Sequence, residues 1–399
     1  MTPAQSRSRR SFLRFLAGSP AVAWAQKLSA AQESDILKSA KDVLAVKDFE
    51  EIAQSKLPPA HWGYVKGATD DDATYRANLA GFTRIELRPH RLVDISRAET
   101  RGELFGYAFD TPVFLCPLSG QKMFHPEGEA ASARGARAKN AIQALSTQTS
   151  VSVEDVAKAL GRPPWYQLYM PATWEGTERM IRRVEDVGCT VLVMTVDMTG
   201  NNGITAKRFA RLDTRNCLAC HEDAGAGRLG VPPGMRPMEV GIGRDLARPT
   251  WAHVDRLKKI TKMKIVLKGI ETREDARLCS EHGVDGIVVS NHGGRAIEDL
   301  RPTIESLPEV VDGAGTGMRI MVDSGFRRGT DVYKALALGA SAIGIGRPYV
   351  WGLTAFGAEG VERVLDIFHN ELFMTMRQCG TPTLAQIARS SVELTEARL

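Results

Sequence analysis

The stretch Lys264-Ile-Val-Leu-Lys268-Gly269, followed by Gly286-Ile-Val-Val-Ser-Asn291, Arg319-Ile-Met-Val-Asp323 and Ala342-Ile-Gly-Ile-Gly346, decides the fold. Each is a short β-branched, apolar run, and longer amphipathic segments lie between them. That alternation is the pattern of repeated βα units and a parallel sheet. It extends backwards through Val113–Pro117, Ile142–Ser146, Trp165–Tyr169 and Val191–Asp197, which brings the strand candidates to eight. Helix-start signals sit in the gaps: Ser152 with Asp155, Thr272 with Asp275, and Thr330-Asp331 opening Val332–Leu338. Eight units in about 240 residues match an α/β protein of the closed (β/α)₈ TIM-barrel type, with a doubly wound open sheet as the competing architecture.

The barrel is expected over 110–390. Residues 30–109 precede it as an N-terminal helical cap with a short extended region. One long connection, 199–250, follows the fourth strand and is rich in Gly, Pro, Arg and Asn; loops of that length are usually functional or disordered.

Length (399 residues), 43% apolar and 25% charged content describe an ordinary globular chain, and the formal charge is +5. Arg7, Arg9, Arg10 and Arg14 carry four of those charges within the first 25 residues, which hold no acid. The rest is nearly neutral and has no basic stretch interleaved with aromatics, so composition offers nothing to a nucleic acid. The run Ser8-Arg-Arg-Ser-Phe-Leu-Arg14, an apolar stretch to Ala25, and small Ala23 and Ala25 look like a twin-arginine export signal over 1–25. Periplasmic residence follows from that reading; a basic, frayed terminus of a cytoplasmic protein is the competing one. No segment reaches the roughly 20 apolar residues of a membrane span. Cys116, Cys189 and Cys279 lie in apolar or helix-like segments, where buried free thiols are expected.

Catalytic groups of such barrels project from the C-terminal strand ends. Here that ring holds Ser146, Gln167, Tyr169, Thr195, Asp197, Lys268, Ser290, His292, Arg295, Asp323, Arg327, Gly346 and Arg347. Any one of these alone is more often structural, but the concentration of Lys, His, Asp and Arg is not a random assortment of polar residues. The loops after strands seven and eight, Asp323-Ser324-Gly325-Phe-Arg327-Arg-Gly329 and Gly344-Ile-Gly346-Arg347-Pro348, read as an anion site. Their glycines expose backbone N–H groups, and Arg327 and Arg347 add charge-assisted donors; tight turns with solvated arginines are the bland alternative.

The segments Gln121–Glu129, Gln167-Leu-Tyr169, Thr195-Val-Asp197, Lys268-Gly269, Ser290-Asn-His-Gly-Gly-Arg295, Asp323–Thr330 and Ile345-Gly-Arg-Pro348 resemble the FMN-dependent 2-hydroxy-acid oxidase and dehydrogenase family, in the same order from about Asp48 to Ser390. The family includes glycolate oxidase, flavin L-lactate dehydrogenase and mandelate dehydrogenase. The resemblance implies FMN at the barrel mouth, its phosphate on Gly346, Arg347 and the Asp323-Ser324-Gly325-Phe-Arg327 loop. It implies flavin and ribityl contacts from Ser146, Gln167, Thr195, Ser290 and the backbone of Pro117-Leu118-Ser119. Lys268 would face the edge that gains negative charge on reduction. His292 would be the base, Asp197 its orienting partner, Arg295 the carboxylate clamp, and Tyr64 and Tyr169 hydrogen-bond partners of the substrate. A 2-hydroxy-acid substrate, a cytochrome, quinone or oxygen as electron acceptor, and a tetrameric homo-oligomer are further implications.

Two departures stand out. Relatives carry a second arginine after Thr-Val-Asp; here the stretch is Met198-Thr-Gly-Asn-Asn-Gly-Ile-Thr-Ala-Lys-Arg208, with Lys207, Arg208 or Arg211 as candidate substitutes. Pro117-Leu-Ser119-Gly120 also places a serine where the family has a small residue. In the long loop, Cys217-Leu-Ala-Cys220-His221 matches a c-type haem attachment pattern, with Met235 or Met238 as a second axial ligand. A surface disulfide, a zinc site and coincidence compete with haem, since the loop is short for a cytochrome domain. Beside the 2-hydroxy-acid enzyme stand two other functions: a non-redox FMN isomerase, which gives no reason for the Ser-Asn-His-Gly-Gly-Arg run, and a flavin electron carrier or degenerate homologue.

Overall fold

The computed structural model describes residues 37–198, 200–215 and 248–395. The twin-arginine-like segment and Cys217, Cys220 and His221 lie outside the described residues. The described residues up to Leu44 form one unit and those from Ala45 another; in the first, Ser39 and Asp42 cap a single turn at Ala40–Asp42.

The body is the expected barrel. In chain order the strands are β1 (Ile85–Leu87), β2 (Gly102–Leu104), β3 (Tyr107–Phe109), β4 (Val113–Leu115), β5 (Ala144–Ser146), β6 (Trp165–Leu168), β7 (Val191–Thr195), β8 (Lys264–Lys268), β9 (Gly286–Val289), β10 (Arg319–Val322), β11 (Ala342–Ile345) and β12 (Val392–Leu394). Eight of them, β4 to β11, form one parallel sheet in the order β4-β11-β10-β9-β8-β7-β6-β5. A parallel bridge between Leu115 and Gln143 joins its two ends, so the sheet closes. The open-sheet alternative is thereby excluded.

Seven of the eight barrel strands end one or two residues before their expected limit: β7 stops at Thr195 rather than Asp197, β9 at Val289 rather than Asn291; β5 ends at Ser146 as expected but starts at Ala144 rather than Ile142. The physical reason is that the residues just past each ladder turn upward into the barrel mouth. Ser152 and Thr272 do cap their helices, accepting from Asp155 N–H (3.2 Å) and Asp275 N–H (3.3 Å). The third cap differs from expectation. Its helix, Gly329–Ala337, starts before Thr330, and the Asp331 carboxylate reaches back to the N–H groups of Arg327 and Arg328, each at 2.9 Å.

The far end of the barrel is plugged by the β2–β3 hairpin. Phe105 and Gly106 at its tip both have positive φ (52° and 81°), as a type I′ turn needs. The hairpin pushes Phe105 and Tyr107 against Trp165 at the start of β6, with ring centroids 5.7 and 6.1 Å apart, and Phe114 approaches at 5.8 Å. Val191, Val193, Val266, Val288 and Met321 complete this core. The N-terminal cap supplies helices Asp48–Lys56, Pro59–Lys66 and Ala73–Ala80 and is tied to the chain end by the antiparallel β1–β12 pair. The expected structureless connection after β7 contains a helix, Ile204–Ala210, packed on Pro59–Lys66 so closely that a Cβ at Gly63 would stand 2.3 Å from Phe209 Cβ. Among the described residues no helix is long and apolar enough to cross a membrane.

Trp165 is completely buried, so Trp165→Ala opens a cavity in the plug and is expected to cost about 3–5 kcal/mol. Chemical denaturation read by far-ultraviolet circular dichroism checks it.

Candidate active site

The strand ends meet in a cleft of about 560 Å³, within the range of small-molecule sites. Its chemistry starts where β9 ends. His292 has φ +58°, and Gly293 and Gly294 follow at +67° and +78°. This left-handed run turns the chain out of the ladder, and the His292 N–H is satisfied by Ser290 Oγ at 3.1 Å. A side chain at Gly294 would put Cβ 2.6 Å from the backbone nitrogen of Tyr75, so the cap helix itself demands that glycine.

The imidazole thus faces the cleft with Nδ1 3.0 Å from Asp197 Oδ1. Burial alone would raise the Asp197 carboxyl, but His292 and Lys268 outweigh it and hold it below the ordinary carboxylate range. An ionised carboxylate only accepts hydrogen bonds, so Nδ1 carries the proton and Nε2 is left as an acceptor, 3.5 Å from Tyr169 Oη. Asp197 is wedged in place by Gly269, whose φ of +109° and missing side chain are both required, since a Cβ there would lie 2.6 Å from Asp197 Cβ.

Lys268, at the end of β8, is buried with its ammonium 2.7 Å from Ser290 Oγ and 3.3 Å from Asp323 Oδ2. Burial opposes its charge, yet Asp323 and Asp197 more than restore it and keep the lysine charged. Asp323 is fixed in turn by Ser324 Oγ at 2.8 Å and by the Cys116 thiol at 3.6 Å. The result is a fixed cation on the cleft wall, compensated from behind.

Arg295 is a second cation in the cleft wall, half-buried. Its guanidinium donates to the carbonyl oxygens of Tyr64 and Val65 and stacks over the Tyr64 ring at 5.0 Å. Among the described residues it forms no ion pair. A half-buried guanidinium without a carboxylate, facing a cleft, offers a seat for an anion. Tyr64 Oη bonds Ser119 Oγ at 2.9 Å. Burial pushes the Tyr169 phenol well above its usual range, so it is a donor throughout the working range of pH.

At the opposite end of the cleft, Gly325 (φ +89°) lies so close to Asn78 that a Cβ would be 2.3 Å from its carbonyl oxygen. Here the arginine pattern is only partly as expected. The Arg347 side chain is turned away, donating to the carbonyls of Val65, Gly293 and Gly67 at 2.8–2.9 Å; it clamps the cap to the barrel. What that loop offers an anion is the backbone around Gly346 at the start of the helix Arg347–Cys379, with Arg327 beside it. Ser146, Gln167 and Thr195 form a buried chain: Ser146 Oγ donates to Gln167 Oε1 at 3.1 Å, and Gln167 Nε2 donates to Thr195 Oγ1 at 3.0 Å.

Most expected site residues therefore line one cleft, including Pro117, Leu118, Ser119, Ser324 and Gly346. Gln167, Asp197 and Ser290 do not line it, and are bonded to Thr195, His292 and Lys268, which do. None of Lys207, Arg208 and Arg211 lines it; Lys207 instead bonds Asn202 Oδ1 at 2.9 Å. Sequence reasoning missed Arg248. The chain leaves the cleft wall at Met198, Gly200 and Asn201 and returns to it at Arg248 and Pro249, so an arginine reaches the mouth from the far end of the insertion. Nothing in local spacing could have signalled that. The thiols of Cys116, Cys189 and Cys279 are free and buried as expected, as is that of Cys379.

The donor set fits FMN: an N–H cradle with Arg327 at one end, hydroxyl and amide groups along a wall, and a compensated ammonium where a reduced ring would carry charge. A family model described as FMN-dependent dehydrogenase matches residues 53–394. The chain is 38% identical to a peroxisomal (S)-2-hydroxy-acid oxidase of Oryza sativa subsp. japonica, over 87% of this chain and 95% of that one. It is 37% identical to 2-hydroxyacid oxidase 2 of Rattus norvegicus, over 88% and 98%. A crystal structure of mandelate oxidase superposes with a TM-score of 0.80 at 33% identity, covering 89% of this chain and 100% of that one. The chain belongs to the FMN-dependent 2-hydroxy-acid oxidase and dehydrogenase family, and is an enzyme that oxidises a 2-hydroxy acid.

Proposed function

We propose that this enzyme oxidises an (S)-2-hydroxy acid to the 2-oxo acid with His292 as base, and passes the electrons to a cytochrome or quinone. The observation that carries the first part is the juxtaposition of the Asp197–His292 pair with a half-buried guanidinium, that of Arg295, which has no carboxylate partner among the described residues. Arg295 takes the substrate carboxylate, because only an anion completes its hydrogen bonding. Arg248 meets the same anionic end from the mouth. Tyr169 donates to the substrate oxygen and keeps the hydroxyl beside His292 Nε2. His292 removes a proton there, and the Asp197 carboxylate stabilises the imidazolium that results while holding the ring's orientation. Bound FMN supplies the acceptor for the electron pair. Lys268 contributes a fixed positive charge that needs no reorganisation when negative charge grows beside it.

Met170 and Met198 line the cleft, and their flexible thioethers favour a bulky apolar substituent over a small one. The choice of a one-electron acceptor, and residence outside the cytoplasm, rest on the twin-arginine-like segment and on Cys217-Leu-Ala-Cys220-His221. Both are sequence readings, oxygen is the competing acceptor, and the cytoplasm is the competing compartment.

His292→Ala is expected to keep bound FMN and to lower kcat by about 10²–10⁴-fold; steady-state turnover with the flavin spectrum recorded on the same sample checks both halves. Arg248→Ala is expected to raise KM about tenfold, the worth of one charge-assisted contact, with kcat little changed. An unchanged KM would remove Arg248 from substrate binding.

A further inference from the structure

Tyr64, on the cap, is held at the cleft by three side chains. The Arg295 guanidinium lies over its ring at 5.0 Å, and Phe124 stacks with the same ring at 6.3 Å. Its hydroxyl meets Ser119 Oγ at 2.9 Å. Ser119 and Phe124 belong to one loop after β4, so that loop grips both the ring and the hydroxyl of a residue that the cap supplies.

The loop is itself pinned from beneath. The Glu129 carboxylate, completely buried, accepts from the N–H groups of Gln121 and Ser150 at 3.0 and 2.9 Å and from Ser150 Oγ at 2.5 Å. Gly120, with φ +59°, donates its N–H to the Gln148 carbonyl at 2.9 Å, and Gln121 Nε2 donates to Tyr349 Oη at 3.1 Å. Ahead of Ser119, the Cys116 N–H is bonded to the Ile345 carbonyl at 2.9 Å. The serine is therefore presented by backbone fixed before and after it, and little freedom is left to lose when its hydroxyl makes a bond.

The direction of the Ser119–Tyr64 bond follows from what occupies the cleft. Each hydroxyl has one proton to give and lone pairs to accept with. Tyr64 lies beside the guanidinium that takes the substrate carboxylate, and a charge-assisted bond to that carboxylate is stronger than one to a neutral serine. The phenol proton thus goes to the anion. Ser119 Oγ has no other partner among the described residues, so its own proton turns to Tyr64 Oη; bonds in such a chain polarise one another, which makes the phenol a better donor.

We infer that Ser119 is a positioning residue for substrate binding: by donating to Tyr64 Oη it aims the phenol proton at the substrate carboxylate and strengthens that contact. The inference rests on Arg295 taking the carboxylate. A side chain without a hydroxyl at position 119 could not do the same.

The test is a double-mutant cycle on the FMN-loaded protein, with phenylpyruvate as the bound anion and its dissociation constant read from the perturbation of the flavin absorbance. Ser119→Ala is expected to weaken binding about three- to tenfold, the worth of one hydrogen bond. Tyr64→Phe is expected to weaken it by about tenfold or more. Adding Ser119→Ala to that variant is expected to cost less than about twofold, because the phenol through which Ser119 acts is gone. In turnover of (S)-phenyllactate the Ser119→Ala loss is expected in KM rather than in kcat. Wild-type affinity in Ser119→Ala overturns the inference. So does an equal loss from Ser119→Ala with and without the Tyr64 hydroxyl, the mark of a serine that only shapes the loop. Failure of the carboxylate assignment reads differently: Arg295→Lys would then hold phenylpyruvate as tightly as the wild type.

Discussion

The ammonium of Lys268 is the charge on which the rest of the site depends. It is buried at the mouth of a closed barrel, where an unpaired cation would cost several kcal/mol. Asp323 and Asp197 make that burial tolerable, and Lys268 in turn helps hold the Asp197 carboxyl below the ordinary carboxylate range. Ser290 Oγ, which accepts a hydrogen bond from the Lys268 ammonium, also accepts one from the His292 N–H. One cation therefore orders the end of β8, the turn after β9 and the end of β10 together. Without it His292 would lose the geometry of its turn as well as the charge balance behind Asp197.

The cap contributes a second constraint. Arg347 and Arg295 both donate to cap backbone carbonyls between Tyr64 and Gly67, and Tyr75 packs on Gly294. The segment before the barrel is thus part of the active site, supplying Tyr64 and fixing the arginine fork. Burial lowers the charge preference of both arginines, which sharpens the demand of Arg295 for a carboxylate ligand. The same logic separates the two: Arg347 already has three carbonyl partners, and Arg295 is the one that faces the cleft in need of an anion.

Much of this was legible in the chain. Eight apolar runs, each followed by a polar residue at the strand end, led to the barrel and to His292, Asp197, Lys268 and Arg295 together, because the strand period and the position of catalytic groups are properties of local sequence. Strand ends were read too long because Asn291 and Asp197 look extended locally yet bend into the mouth. The helix cap at Arg328 escaped notice because an aspartate acting backwards leaves no distinctive spacing. Arg248 was invisible for a different reason: it returns to the cleft from the far end of an insertion.

The most direct test of the account is anaerobic mixing of the FMN-loaded protein with each enantiomer of an aromatic 2-hydroxy acid while the flavin absorbance is followed. The account predicts rapid loss of the yellow colour with the (S) enantiomer, slowed by orders of magnitude in His292→Ala. A flavin that stays oxidised with every 2-hydroxy acid, or one that bleaches equally fast without the His292 imidazole, would contradict it.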